Sequence, residues 1–142
     1  MTRRKITFLR PTYASDAAGR ALSIVRIATG VVFFTHPIVK LLGFPAGAQP
    51  GKVPLISLFG AAGMIELIGG LLLIVGLFTQ PIAFLLSGEM AVAYFIVHAP
   101  QSALPQLNGG EVAILYCFVF LCLSIAGPGP WSVDALRTRT KG

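Results

Sequence analysis

Apolar residues dominate four stretches of the chain, at roughly residues 20–43, 55–78, 81–99 and 110–126. Each is near the ~20 residues that a membrane-crossing helix needs. Between the first two lies Phe44-Pro45-Ala46-Gly47-Ala48-Gln49-Pro50-Gly51-Lys52-Val53-Pro54, whose prolines and glycines read as a loop. Little more than Thr79-Gln80 joins the second stretch to the third, which forces an antiparallel hairpin, and Pro81 fits the first turn of the third helix. Residues 100–108 are again loop-like, and Gly127-Pro128-Gly129-Pro130 ends the fourth helix. Beyond it, Trp131 suits an interfacial aromatic belt, and Ser132 with Asp134 predicts a short surface helix that finishes in basic residues. The pattern predicts an all-α, membrane-embedded four-helix bundle over residues 20–127, with a basic segment at 1–19 and a basic tail at 128–142. It shows no repeat of fixed period and no second domain.

Composition agrees with this pattern. With 55% apolar and 11% charged residues, the chain does not read as a soluble domain. The net charge of +6 is carried at the two ends. Arg3, Arg4, Lys5, Arg10 and Arg20 precede the first span and Arg137, Arg139 and Lys141 follow the last, whereas Lys52 alone falls in a loop on the other side. Such asymmetry predicts an even number of spans and both termini in the cytoplasm, with the basic ends against anionic lipid headgroups rather than nucleic acid. The small residues Ala14 to Ala18 come before the apolar run, where a cleavable export signal would have them after it, so the first span is expected to remain as an anchor. The expected location is the plasma (cytoplasmic) membrane of a bacterium.

Ionisable residues inside apolar spans must face a partner, a cavity or the membrane surface. Arg26, Gly30, Phe33, Pro37 and Lys40 share one face of the first helix, with Arg26 and Lys40 about 21 Å apart along it. They therefore need different partners. Glu66 sits near mid-span among Ala62, Gly63, Gly69 and Gly70, small residues that let another backbone approach. Complementary charge and similar depth pair Arg26 with Glu66 as an inner layer. An outer layer gathers Lys40, His36, His98, Asn108 and Glu111, with Lys40 paired to Glu111. Glu89 lies about 180° around the third helix from His98, and either completes the inner cluster with Arg26 or faces another subunit.

Each of these residues also has a purely structural reading. Arg26 and Glu66 serve equally as a packing ion pair, Lys40 as a snorkelling cation and Glu111 as a helix-start carboxylate. Met90, Tyr94 and Tyr116 read as packing. Cys117 and Cys122 point about 140° apart on one helix and form neither a disulfide nor a CxxC pair. The two histidines raise the options of paired haem ligands or, with Glu111, a His/His/carboxylate metal site, but hydrogen-bonded core histidines are the preferred reading. No metal or other cofactor is expected, and quinone is the ligand held open.

The run His36-Pro37-Ile38-Val39-Lys40-Leu41-Leu42-Gly43 resembles the His-Gly-x-x-Lys-Leu-x-Gly segment of the DoxX family of small membrane proteins. Glu66-Leu67-Ile68-Gly69-Gly70, with Gly76 and Thr79, is similar to that family's second helix; Met90 to Ala93 with His98 resemble its third. Asn108-Gly109-Gly110-Glu111, Gly127-Pro128-Gly129 and Trp131-Ser132-Val133-Asp134 resemble its fourth helix and tail. Pro37 departs from the usual glycine, which predicts a kink, and Glu89 is a charge the family pattern does not contain. The resemblance implies four membrane helices and an association with thiosulfate:quinone oxidoreduction or with membrane complexes for oxidative-stress defence.

Three functions follow. The first is a non-catalytic accessory, anchoring or assembly subunit whose partners are membrane or membrane-associated redox proteins. The second is a quinone-reactive oxidoreductase subunit, with His36, Lys40, Glu66 and Glu111 around the headgroup. The third is transport of a proton or small solute, suggested by one unbalanced acid in the spans but opposed by the lack of an inverted repeat.

Overall fold

The computed structural model describes residues 16–140. The basic residues Arg3, Arg4, Lys5, Arg10 and Lys141, and most of the expected 1–19 segment, lie outside the described residues. Within them the backbone is helical and contains no strand. The first apolar stretch forms α1 (Asp16–Phe33) and α2 (Thr35–Leu42), and the second forms α3 (Leu58–Val75). The third forms α4 (Thr79–Ala93), continued by a π-helical turn over Tyr94–His98. A short α5 (Pro105–Asn108) precedes α6 (Glu111–Ala126), and α7 (Val133–Arg139) closes the fold. Ala17–Leu42, Leu58–Val75 and Thr79–His98 are long and apolar enough to cross a membrane. Helix α6 is equally apolar but has 16 residues, about 24 Å against a hydrocarbon thickness of ~30 Å.

Each boundary has a local cause. Pro37 has no N–H for the carbonyl of Phe33, four residues earlier, and the helix breaks there between α1 and α2. The kink expected at Pro37 therefore lies one turn upstream of the proline. Thr35 Oγ1 donates to the Val32 carbonyl at 2.7 Å across the break. Ser57 accepts the Gly60 N–H at 3.0 Å, which starts α3 three residues later than the apolar run begins. The turn before α4 is Gly76–Phe78, so Thr79 and Gln80 belong to the helix and not to the connection. As expected, Ser132 caps α7, accepting the Ala135 N–H at 3.1 Å.

Successive apolar segments pack antiparallel. Gly30 lies against Ile74, Gly70 against Phe34, and Gly63 against Leu41 and Lys40, so small residues set the contact of α1–α2 with α3. On another side of α3, Gly69 accommodates Leu86 of α4. Between α4 and α6, Gln80 Nε2 donates to the Ser124 carbonyl at 3.2 Å and Ser87 Oγ to the Cys117 carbonyl at 2.8 Å. Phe33, Leu73, Ala83, Leu86, Met90, Phe120 and Leu123 fill the centre. Cys117 and Cys122 are free thiols.

Arg26 holds one end of this assembly. It is fully buried. Its Nε donates to the Pro128 carbonyl at 2.8 Å and its Nη2 to the Trp131 carbonyl at 2.5 Å. Its Nη1 donates to the carbonyls of Leu73 and of Ile74, the latter at 2.7 Å. Leu73 and Ile74 lie in the last turn of α3, where carbonyls run out of intrahelical donors. One guanidinium thus caps α3 and ties the segment after α6 back to α1. Glu66 is seven residues from Leu73, about 10 Å along α3, so the expected Arg26–Glu66 pair does not form.

Asp134 completes the same knot. Its carboxylate accepts the N–H groups of Phe78 at 3.0 Å and Thr79 at 2.9 Å, satisfying the start of α4. Its own N–H donates to the Gly76 carbonyl at 2.9 Å. Gly76 has φ +70°, and a Cβ there would collide with the Arg26 guanidinium and with Ser132. Phe78 adopts φ 51°, unusual for a residue with a side chain, and Arg137 lies 5.3 Å over its ring.

Replacing Arg26 by Met should strand four carbonyls and cost about 3 kcal/mol or more. Arg26→Lys should not rescue it, because one compact ammonium cannot reproduce the guanidinium fork. Asp134→Ala should cost about 1–2 kcal/mol. Thermal unfolding in detergent checks the order of these losses.

Candidate functional site

The contact of α2 with α3 brings a different pair of charges together. At Gly63, α3 has no side chain, and a Cβ there would sit 3.4 Å from the Cβ of Lys40. The backbones are therefore close enough for Lys40 Nζ to reach Glu66 Oε1 at 2.5 Å, with side chains only 13% and 2% exposed. This pair replaces the expected Lys40–Glu111 contact. Glu111 is the first residue of α6 and is exposed. The second carboxylate oxygen of Glu66 has no hydrogen-bond partner among the described residues.

Glu89 meets this pair from α4. Both of its carboxylate oxygens are buried without a hydrogen-bond partner among the described residues, and it interacts electrostatically with Glu66 and Lys40. It does not join Arg26, as one expectation had it. Lys40, Glu66 and Glu89 line a groove of about 680 Å³ between α3 and α4. Its other walls are apolar, with Ala62 and Ile65 on α3, Phe84, Leu85 and Gly88 on α4, and Ile96 on the π turn. The groove forms because α4 packs chiefly on α6 and less on α3. Gly88 widens it, since a Cβ there would meet nothing within 4 Å. Phe84, Leu85 and Ile96 are more than half exposed, so the groove opens sideways through an apolar rim.

The sequence contained the signal for this meeting. Glu66 stands eleven residues before Leu77 in the hairpin turn and Glu89 twelve after it, which sets them at nearly equal depth on adjacent antiparallel helices. Complementary charge and rough depth alone, without the antiparallel register of α1 on α3, instead join Arg26 to Glu66.

The remaining outer-layer residues are organised separately. The His36 ring packs against Phe33 at 5.6 Å and Tyr116 at 5.7 Å between centroids. His98 Nδ1 hydrogen-bonds the Asn108 carbonyl at 2.8 Å, and its ring stacks on Tyr94. Asn108 is buried; its side chain donates to the Ser102 carbonyl at 2.8 Å and accepts the Gly110 N–H at 2.7 Å. His36, His98, Asn108 and Glu111 thus do not line the groove. No group of three or more His, Cys, Asp or Glu that could hold a metal ion occurs among the described residues. What the groove offers chemically is one half-buried cation, two carboxylates with buried oxygens and apolar walls: a place for an amphipathic molecule whose polar end makes hydrogen bonds or exchanges protons.

Removing one partner of the Lys40–Glu66 pair should destabilise the protein by about 3–5 kcal/mol, because the other charge remains buried. The double exchange Lys40→Glu/Glu66→Lys should recover part of that loss. The exchange Arg26→Glu/Glu66→Arg should recover none. Membrane levels and thermal unfolding of the six variants measure both outcomes.

Comparison with known proteins gives the chain its relatives. The sequence model of the DoxX family matches residues 21–99, more than half of the chain. The matched region contains Arg26, Lys40, Glu66 and Glu89. A protein of Haemophilus influenzae, described as an uncharacterized protein, is 39% identical over 117 residues, covering 80% of this chain and 87% of its own length. No solved structure matches. With the family pattern spanning α1 to the π turn and a relative aligned over most of both chains, this protein belongs to the DoxX family.

Proposed function

We propose that the protein is a four-helix transmembrane subunit of the bacterial cytoplasmic membrane that holds a quinone-type carrier in the α3–α4 groove on behalf of a membrane redox complex. The observation that carries this reading is the Lys40–Glu66 pair facing Glu89 in an apolar groove that opens sideways. A lipophilic carrier travels within the bilayer and enters a site from the side; its long tail needs apolar walls and its headgroup needs a few polar contacts. Phe84, Leu85 and Ile96 supply the former, and Lys40, Glu66 and Glu89 the latter. His36 and Glu111, expected at the headgroup from sequence, have no part in it.

The membrane arrangement follows from packing and charge. Three segments have the length and hydropathy to cross, and α6, antiparallel to α4, makes the fourth crossing with modest local adjustment of the bilayer. The Ser23 hydroxyl accepts the Trp131 N–H at 3.2 Å, which places the start of α1 and the tail at one end. Arg20, Arg137 and Arg139 cluster toward that end, which we assign to the cytoplasm and to anionic headgroups.

A second reading keeps the groove and changes its occupant. Ala61, Ala62, Gly88 and Ala93 are small residues along its walls, the kind of surface on which a partner's membrane helix packs closely. Under it the protein is an anchoring or assembly subunit without a small ligand.

Gly88→Phe separates the two. The substitution points into the groove from a position whose Cβ meets no atom within 4 Å and replaces a helix-interior glycine, so stability should be unchanged or raised by up to about 1 kcal/mol. Binding of a decyl-tailed quinone analogue to the purified protein should fall at least about tenfold. Loss of a co-purifying partner with no measurable quinone binding in the wild type would favour the anchoring reading. For topology, a cysteine placed at Lys52 should react with a membrane-impermeant thiol reagent added to intact cells, and one placed at Arg139 should react only after lysis.

A further inference from the structure

With both acids ionised, the groove holds more hydrogen-bond acceptors than donors. Glu66 uses one oxygen on Lys40 Nζ. Its other oxygen and both oxygens of Glu89 are buried and lack partners among the described residues. Glu66 is 1% exposed, so bulk solvent does not reach it. The nearest hydroxyl on α4 is committed elsewhere, since Ser87 donates to the Cys117 carbonyl at 2.8 Å. The rest of the lining is apolar side chain and has nothing to donate. Buried acceptors without donors are unfavourable enough that folded proteins seldom leave them so. Three such oxygens converging on one groove therefore specify what it takes.

We propose that the groove selects its occupant by donor groups: an apolar molecule whose headgroup carries O–H or N–H. Under the proposed function, on which this identification of the headgroup rests, the preferred form is the reduced, dihydroxy quinol and not the oxidised dicarbonyl. A dicarbonyl headgroup brings two more acceptors, which Lys40 alone can serve. A dihydroxy headgroup brings two donors, one for Glu66 Oε2 and one for Glu89. A lipophilic ammonium ion offers the same donor chemistry with a charge, because two carboxylates against one lysine leave room for a cation. Donor recognition is thus common to both sources and depends only on the carboxylates.

The test measures affinity of the full-length protein in lipid nanodiscs for four probes with the same decyl tail, handled anaerobically: a hydroquinone, its quinone, its dimethyl ether and a primary amine. The hydroquinone should bind at least about tenfold tighter than both the quinone and the dimethyl ether. Glu89→Gln, nearly equal in volume and bearing its own donors, should shrink that preference to about threefold or less. Should Glu66→Gln fail to fold, the Glu89→Gln variant still decides the matter. Quinone binding equal to or tighter than hydroquinone binding, or an undiminished preference in Glu89→Gln, overturns donor recognition while leaving the groove a quinone site. Amine binding tighter than hydroquinone binding supports donor recognition and overturns the quinone assignment. Failure of all four probes to bind overturns both.

Discussion

A lysine and a glutamate share an apolar interior only when their helices come close enough to join the two charges directly and exclude everything else. Here that closeness depends on Gly63, where α2 approaches α3 and carries Lys40 onto Glu66. The same antiparallel register seats Phe34 over Gly70 and Gly30 against Ile74. It also sets Arg26 at the last turn of α3, where carbonyls and not a carboxylate await it. The two cations of the first apolar segment therefore do different work. Arg26 satisfies backbone and holds the tail, whereas Lys40 neutralises an acid that would otherwise be stranded.

The groove is a consequence of how that pairing is distributed. Helix α3 presents Gly63 and Gly70 to α1–α2 and Gly69 to Leu86, while α4 turns most of its packing surface to α6. The α3–α4 hairpin is joined tightly at Gly76–Phe78 and held by Asp134. Along its length, small residues at Ala62 and Gly88 leave space between the two helices. Glu89 faces that space at the depth of Glu66. An extra acid in such a place gains nothing from packing, and the proposed ligand site rests on that chemistry as much as on the shape of the groove.

Much of the fold was legible in the chain. Four apolar stretches, their Pro/Gly-rich separators, the Pro37 break, the Ser132 cap and the free cysteines all follow from local rules that act over a few residues. The family was legible from the order of short motifs, none of them decisive singly. The charge pairs were not, because pairing across helices depends on register, and a shift of two turns exchanges one partner for another. Arg26 showed this most sharply: its partners are four carbonyls, and a carbonyl leaves no mark in a sequence. The π turn at Tyr94–His98 also had no signal in composition. The Glu66–Glu89 meeting had one, the near-equal spacing of the two acids from the hairpin turn.

The Lys40–Glu66 pair is open to direct measurement. Protein labelled with ¹⁵N at lysine Nζ and ¹³C at glutamate Cδ, reconstituted in lipid bilayers, can be examined by solid-state NMR for short lysine–glutamate distances. A close Nζ–Cδ contact, within roughly 4 Å, should disappear in Glu66→Gln and persist in Glu111→Gln. A contact that survives Glu66→Gln and is lost in Glu111→Gln, or no short contact at all, would contradict that pairing.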